Sequence, residues 1–295
     1  MSELSKRVAV AVVAIPIVLG LAYLGGWFLA VPLSAFAGWG AHESYRLAHA
    51  KGIRPVEWVG VPAAAMFVLL GAWRPTFAGY APFGLAVIIG VSLLAALEAM
   101  RTRGPDGDPL PTVAVTVFGA IYSGLALTFI PFLLALPGAR AWTALDADPV
   151  APLLVVALPL AATWIGDASA YFAGTTWGKG RARLAPTISP NKSWVGFWAS
   201  LAGGAATGVA WLFIVQGRLP VLADAGPVPF AVIGALLGLA AVIGDLLESL
   251  FKREAGVKDS GSFFPGHGGV LDRIDSLVLT IPASYGLLIL VVYLR

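Results

Sequence analysis

Between two membrane-length apolar runs the chain carries Ser249, Lys252, Arg253, Lys258 and Asp259, and then the stretch Phe264-Pro-Gly-His-Gly-Gly-Val-Leu-Asp-Arg-Ile-Asp-Ser276. Ionised side chains are costly in lipid, so Asp, Lys, Arg and His crowded at the end of a membrane helix mark a functional site. Asp245, Ser249 and Lys252 fall at i, i+4 and i+7 and so share one helical face, with Glu248 alongside. At 1.5 Å per residue, Asp245 lies about 9 Å below a helix end at Phe251. A carboxylate at that depth needs a partner, a cation or a wet cavity. Asp272 and Asp275 are three apart at the entrance to the next apolar run and can share a face. Three carboxylates drawn from two helix ends repel unless a divalent cation neutralises them. Mg²⁺ suits that role, because it prefers oxygen and is usually held by one or two carboxylates plus substrate phosphates. The alternative is a purely structural pairing network of Asp272, Arg273, Asp275, Lys252 and Arg253, which leaves the glycines unexplained.

Gly266, Gly268 and Gly269 around His267 let the backbone adopt conformations closed to other residues and bring N–H groups near an anion. Beside Lys252, Arg253, Lys258 and Arg273 the loop reads as a polyphosphate cradle, its basic side chains supplying charge-assisted hydrogen bonds. His267 suits phosphate contact first, and metal ligation or acid chemistry after it. A second segment runs Trp164-Ile-Gly-Asp-Ala-Ser-Ala-Tyr-Phe-Ala-Gly174, then Gly178-Lys-Gly180, then Ile188-Ser-Pro-Asn-Lys-Ser-Trp194. Asp167 is another carboxylate inside an apolar run. Lys179, Arg181, Arg183 and Lys192 surround a Ser189-Pro190 turn that opens a helix, whose N-terminal N–H groups favour phosphate. Ser189, Lys192 and Ser193 therefore read as a second anion contact, whereas Arg181 and Arg183 are equally well explained as positive charge on the inner membrane face.

The elements that must hold these residues are helices in a bilayer. Of 295 residues 58% are apolar and 12% charged, a composition foreign to soluble domains. About nine runs approach the roughly 20 residues a membrane helix needs: Val8–Leu24, Trp27–Tyr45, Val59–Trp73, Pro82–Met100, Val113–Leu136, Leu153–Phe172, Trp194–Val215, Val228–Phe251 and Leu277–Leu294. The expected fold is all-α and polytopic, one membrane domain over residues 1–295, with generic spans in 1–150 and the motifs in 151–295. With a cytoplasmic N-terminus, 15 of the 19 Lys and Arg residues fall on the cytoplasmic side, leaving Arg74, Arg140, Arg218 and Arg295 outside. That is the bias the positive-inside rule predicts, and a miscounted span would scramble it. The first run sits behind Lys6 and Arg7 like a secretory signal, but no small-residue cleavage site follows it, so a retained span is expected. With no cysteine, disulfides, thiolate metal sites and thiol nucleophiles are excluded.

Elsewhere the chain reads as scaffold. Gly203-Gly-Ala-Ala-Thr-Gly208, Gly234 and Gly238 suit close helix packing. Pro16, Pro32, Pro131, Pro159 and Pro282 lie within spans as kinks. His42, Glu43, Arg46 and His49 form an expected solvated cluster at an inner helix end, and Glu98 is placed to pair with Arg101 or to reach the interface. Asp146, Asp148 and Asp224 sit in plain outer connectors.

The run Ser249-x-x-Lys-Arg253, Lys258-Asp259, Pro265-Gly-His-Gly-Gly-x-x-Asp-Arg-x-Asp275 closely resembles the C-terminal signature of the phosphatidate cytidylyltransferase (CDP-diacylglycerol synthase) family, fixing more than a dozen positions across residues 249–275. The resemblance extends to Gly166-Asp167, Ala170-Tyr171, Gly178-Lys179 and Ser189-Pro190. Where family members often carry Ser-Pro-Lys-Lys-Thr-Trp-Glu-Gly, this chain has Ser189-Pro-Asn-Lys-Ser-Trp-Val-Gly196, so Asn191 lacks a basic contact and Val195 an acidic one. The resemblance implies transfer of CMP from CTP to phosphatidic acid with Mg²⁺, with a second cation allowed. Asp245, Asp272 and Asp275 would hold metal. Lys252, Arg253, Lys258, His267 and Arg273 would stabilise the transition state and departing pyrophosphate. Asp167, Lys179, Ser189, Lys192, Ser249, Asp259, Gly266, Gly268 and Gly269 would bind substrate. The expected partners are CTP from the cytoplasm, phosphatidic acid in the inner leaflet, membrane lipid and a second copy in a homodimer, with no nucleic acid. Rival readings are a polyprenol or phytol kinase-like enzyme, which would release a nucleoside diphosphate, and a transporter, which would need polar residues in the nearly ion-free outer halves. A CDP-alcohol phosphotransferase is disfavoured because its Asp-Gly-x-x-Ala-Arg run is absent.

Overall fold

The computed structural model describes residues 16–143, 148–264 and 268–294, whose regular secondary structure is helical apart from one small hairpin. Six helices among them are long and apolar enough to cross a membrane: Phe77–Thr102, Pro109–Ala139, Ala151–Thr176, Trp194–Val215, Pro227–Glu254 and Leu271–Tyr293. The protein is therefore an integral membrane protein. Three of the nine expected spans fall outside this set for separate reasons. The Val8–Leu24 run begins outside the described residues and is helical over 16–24. The helix Gly26–His49 has 24 residues, but His42, Glu43, Ser44, Arg46 and His49 make its last turns polar. The apolar helix Glu57–Trp73 has only 17 residues. Helices run through Pro32, Pro62, Pro82, Pro159 and Pro282 without ending.

The chain divides into two compact units, one of Met1–Phe132 with Phe251–Ile274, the other of Leu133–Leu250 with Asp275–Arg295. This division follows packing. In the first unit the helix Gly26–His49 packs on Glu57–Trp73 around Tyr45, which is fully buried. The Tyr45 hydroxyl donates to the Thr116 carbonyl at 2.7 Å. Its ring fits because Gly60 and Gly119 leave room for it: a Cβ on either would run into the ring. The long helix after Pro109 passes through a π-helical turn, Ile121–Leu125. There the backbone of Gly124 lies directly against that of Ala64, an approach only a residue without a Cβ permits.

In the second unit the helix Ala151–Thr176 packs along Trp194–Val215. Between them strands Arg183–Ala185 and Ser189–Ser193 pair antiparallel, Arg183 opposite Ser193 and Ala185 opposite Ser189. The Ser189-Pro190 segment is thus the start of a strand that leads straight into the helix at Trp194. The helix begins there because the Ser193 hydroxyl accepts the Gly196 N–H at 3.1 Å, satisfying one of the donors a helix start leaves over. Trp194–Val215 and Pro227–Glu254 meet backbone to backbone: a Cβ on Gly204 would strike the Gly234 carbonyl, one on Gly208 the Phe230 carbonyl, and one on Gly238 the Ser200 carbonyl. The expected small-residue packing is present at these positions.

Candidate active site

A cavity of about 660 Å³ opens within the second unit, lined by residues of three helices and the hairpin. Asp167, Ala170, Tyr171 and Gly174 come from Ala151–Thr176. The segment after it brings Lys179, Arg183, Ser189, Asn191, Lys192 and Ser193. Gly196 and Phe197 come from the next helix, and Val242 and Asp245 from Pro227–Glu254. The volume is in the range of pockets that hold small-molecule ligands and cofactors. Inside it the Lys192 Nζ lies 2.6 Å from Asp245 Oδ2, with both side chains part-exposed at 24% and 32%. The Ser249 hydroxyl donates to the other carboxylate oxygen at 3.2 Å, the i, i+4 relation expected of that helical face. Asp167 lies in the field of both the Asp245 carboxylate and the Lys192 ammonium.

The floor of this cavity depends on close backbone approaches. A Cβ on Gly196 would sit 3.0 Å from the Ala170 carbonyl, and Gly178 is pressed against the Gly174 carbonyl and the Ser193 hydroxyl. Gly180, at φ 73°, turns the chain from helix to hairpin. The Ser193 hydroxyl caps the helix and the residue is buried, so it holds the strand-to-helix junction while lining the cavity beside Lys192.

A second polar cluster lies within the first unit. Lys252 Nζ is 2.6 Å from Asp272 Oδ1, and the two side chains are 13% and 6% exposed. The other Asp272 oxygen accepts the N–H of Ser260, the N–H of Gly269 and the hydroxyl of Ser260, each at 2.8 Å. Gly268, at φ 77°, has Asp272 so near that a Cβ would approach Oδ2 to 2.7 Å. The glycine loop thus wraps one of its own carboxylates, and the Gly269 N–H is directed at Asp272. The loop is seated by aromatic contacts: Phe263 and Phe264 pack on Phe36, and Phe263 on Trp39.

Of the residues picked from the sequence, Asp167, Lys179, Ser189, Lys192 and Asp245 line one cavity, with Ser249 on Asp245. Lys252, Gly268, Gly269 and Asp272 form the other cluster. Arg253, Lys258, Asp259 and Arg273 are solvent-exposed. Asp275 accepts the N–H of Ser276 through Oδ1 at 2.5 Å. Gly266 and His267 lie outside the described residues. Among the described residues no group of three or more His, Asp and Glu side chains comes together to hold a metal ion.

Sequence reasoning missed Glu43. Expected in a solvated cluster, it is 1% exposed and accepts the Leu271 N–H at 2.8 Å, the Ser260 hydroxyl at 3.0 Å and the Trp39 indole N–H at 3.2 Å. The signal was available, since an acid at the end of an apolar helix meets the same test that singled out Asp167 and Asp245. The neighbouring His42 and His49 do behave as an open cluster, bracketing Glu57 at 2.7 and 2.8 Å with both imidazoles over 40% exposed.

Comparison with known proteins bears on this geometry. The model of the cytidylyltransferase family matches residues 5–291. The chain is 31% identical over 301 residues to a phosphatidate cytidylyltransferase of Synechocystis sp., covering 97% of each chain. It is 34% identical to that of Pseudomonas aeruginosa, again over 97% of each. A stretch of 137 residues, 46% of each chain, is 42% identical to the phosphatidate cytidylyltransferase of Haemophilus influenzae.

Proposed function

The chain belongs to the cytidylyltransferase family, and on that premise we propose that the cavity around Asp167, Lys192 and Asp245 is where it makes CDP-diacylglycerol from CTP and phosphatidate. A phosphate-monoester oxygen of phosphatidate attacks the α-phosphorus of CTP. The bond from that phosphorus to the bridging oxygen breaks, and pyrophosphate leaves. A phosphate monoester is already largely dianionic at neutral pH, its second pKa being about 6, so no strong general base is needed. What catalysis needs is alignment and neutralisation of charge.

The observation that carries this reading is the Lys192–Asp245 pair within a cavity also lined by Asp167, Lys179, Arg183 and Ser189. Lys192, Lys179 and Arg183 would receive triphosphate oxygens, with Ser189 as a neutral donor. The donor set suits Mg²⁺, since Asp167 and Asp245 face one cavity and this ion takes one or two carboxylates and completes its shell with phosphates and water. Asp245 and Asp167 would hold it, and when bound it would neutralise charge on the triphosphate. From the family resemblance we further assign Asp272 and Asp275 to metal binding. On the same grounds Lys252, Arg253, Lys258, His267 and Arg273 stabilise developing negative charge, and Ser249, Asp259, Gly266, Gly268 and Gly269 contact substrate.

We also assign this cavity to the cytoplasmic side of the inner membrane. The support is the excess of basic residues on the loops that would share that side.

The test uses the full-length protein in detergent with radiolabelled CTP, phosphatidic acid and Mg²⁺, following CDP-lipid by thin-layer chromatography. Asp245→Asn and Lys192→Ala are each expected to lower turnover by about 100-fold or more. Near-normal turnover in both would sink the cavity assignment, and release of nucleoside diphosphate in place of pyrophosphate would favour a kinase. Chelating divalent cations should abolish the product and Mg²⁺ should restore it.

A further inference from the structure

We propose that Glu43 is a positioning residue for the transfer reaction, holding the glycine loop so that Asp272 stays in place; this rests on the reading that Asp272 and its loop serve that reaction. Glu43 sits in the helix Gly26–His49, yet two of its three hydrogen-bond donors, the Ser260 hydroxyl and the Leu271 N–H, come from residues 217 and 228 positions away. They stand at the two ends of the segment that carries the glycines. The third donor, the Trp39 indole, is on its own helix, at i−4.

The fit is close on both sides of the carboxylate. A Cβ on Gly261 would collide with Glu43 Oε1, and one on Gly269 with both Glu43 oxygens. These two glycines are therefore explained by the carboxylate that packs on them, independently of any ligand. The link to Asp272 is short: the Ser260 hydroxyl, whose single proton the two carboxylates share, lies 3.0 Å from Glu43 Oε2 and 2.8 Å from Asp272 Oδ2. Ser260 and Gly269 also give their backbone N–H groups to Asp272. Every donor that orients the second oxygen of Asp272 thus belongs to a residue that touches Glu43.

A buried carboxylate is an expensive way to fasten a helix to a loop, since an apolar contact of the same size carries no desolvation cost. What the carboxylate adds is one oxygen, Oε2, that takes donors from both ends of the loop at once, while the Trp39 indole N–H holds Oε1 from the same helix. That is a constraint on position, and a shift of about 1 Å in such a constraint can cost about 100-fold in rate.

The experiment measures kcat, KM for CTP and thermal unfolding of the full-length protein in detergent for Glu43→Gln, Ser260→Ala, the double variant and Asp272→Asn. Glu43→Gln and Ser260→Ala are each expected to lower kcat about tenfold or more, with KM for CTP changed no more than about twofold. The double variant should fall no further than the worse single one, because both act through the same link. Losses that multiply in the double variant would overturn the relay through Ser260. Normal kcat in a folded Glu43→Gln protein, with Asp272→Asn inactive, would overturn the proposal itself. If Glu43→Gln does not fold, Ser260→Ala decides, and normal kcat there overturns the proposal. Normal turnover in Asp272→Asn would instead remove the reading on which it rests.

Discussion

Lys192 and Asp245 meet at 2.6 Å where both can still reach a ligand, whereas Lys252 and Asp272 meet at the same distance almost out of reach of solvent. The difference decides what substitution does to each pair. Replacing Asp272 by Ala takes the acceptor from the Lys252 ammonium, the Ser260 N–H and the Gly269 N–H at once, and breaking a buried pair in this way costs about 3–5 kcal/mol. Thermal unfolding in detergent should show a clear fall for Asp272→Ala and a smaller one for Lys252→Met, which leaves both N–H groups with their acceptor. Equal falls in the two variants would show that those N–H donors contribute nothing. Asp167 and Asp245 were legible from the sequence because a charge within an apolar run has few explanations, and Lys192 because it follows Ser189-Pro190 just ahead of a helix start. Glu43 met the same test but was passed over, because its polar neighbours His42 and Arg46 suggested open water and its partners Ser260 and Leu271 are too distant in the chain for any local pattern to join them.

Helix pairs in the second unit are set by glycines whose missing side chains are replaced by a neighbour's backbone. Gly204→Ala and Gly234→Ala each push a methyl into a carbonyl of the facing helix, and such overpacking costs about 1–3 kcal/mol. Gly90→Ala is the control. Nothing lies within 4 Å of its added Cβ, and relief of glycine's helix penalty, about 0.5–1 kcal/mol, should leave stability unchanged or raised. Thermal unfolding compares the three; equal effects would contradict the backbone contact.

At the start of Ala151–Thr176, Asp148 accepts the N–H groups of Val150 and Ala151 at 2.8 and 3.2 Å, and Arg218 NH1 donates to both its oxygens. The Val150 N–H does most to hold the Asp148 carboxyl below the ordinary carboxylate range; burial opposes it, and Arg218 and the Ala151 N–H add to it. A depressed carboxylate contributes stability that is complete above its unfolded value of about 3.9 and is lost as pH falls through the lower folded value. Asp148→Asn should remove that part of the acid dependence of thermal unfolding. An unchanged acid branch would show that the contact carries no linkage. The sequence reading had taken Asp148 for a plain connector residue, because its partner Arg218 lies 70 positions away.

For the molecule as a whole, the lack of cysteine makes single introduced cysteines clean reporters of orientation. The 22-residue helix Trp194–Val215 is about 33 Å long at 1.5 Å per residue, enough to cross a hydrocarbon core of about 30 Å. The exposed Arg181 precedes it, and Gly217, with open space about its Cβ, follows it. In sealed vesicles of known orientation, a membrane-impermeant maleimide is expected to label Arg181→Cys from the cytoplasmic side alone and Gly217→Cys from the opposite side alone. Labelling of both from one side would deny that this helix spans; exchanged sides would reverse the proposed orientation. The helical class was legible because apolar runs of membrane length dominate the chain. The number of spans was less so, since Gly26–His49 and Glu57–Trp73 owe their burial to packing around Tyr45 and not to length or apolarity alone.

The first unit is completed by residues 251–274, and this sets a schedule. At about 5–20 residues per second, a ribosome takes on the order of ten to forty seconds to make the 217 residues that separate Glu43 from Ser260. For most of that interval the two loop donors of the carboxylate do not yet exist. The N-terminal helices are therefore made well before the segment that closes them.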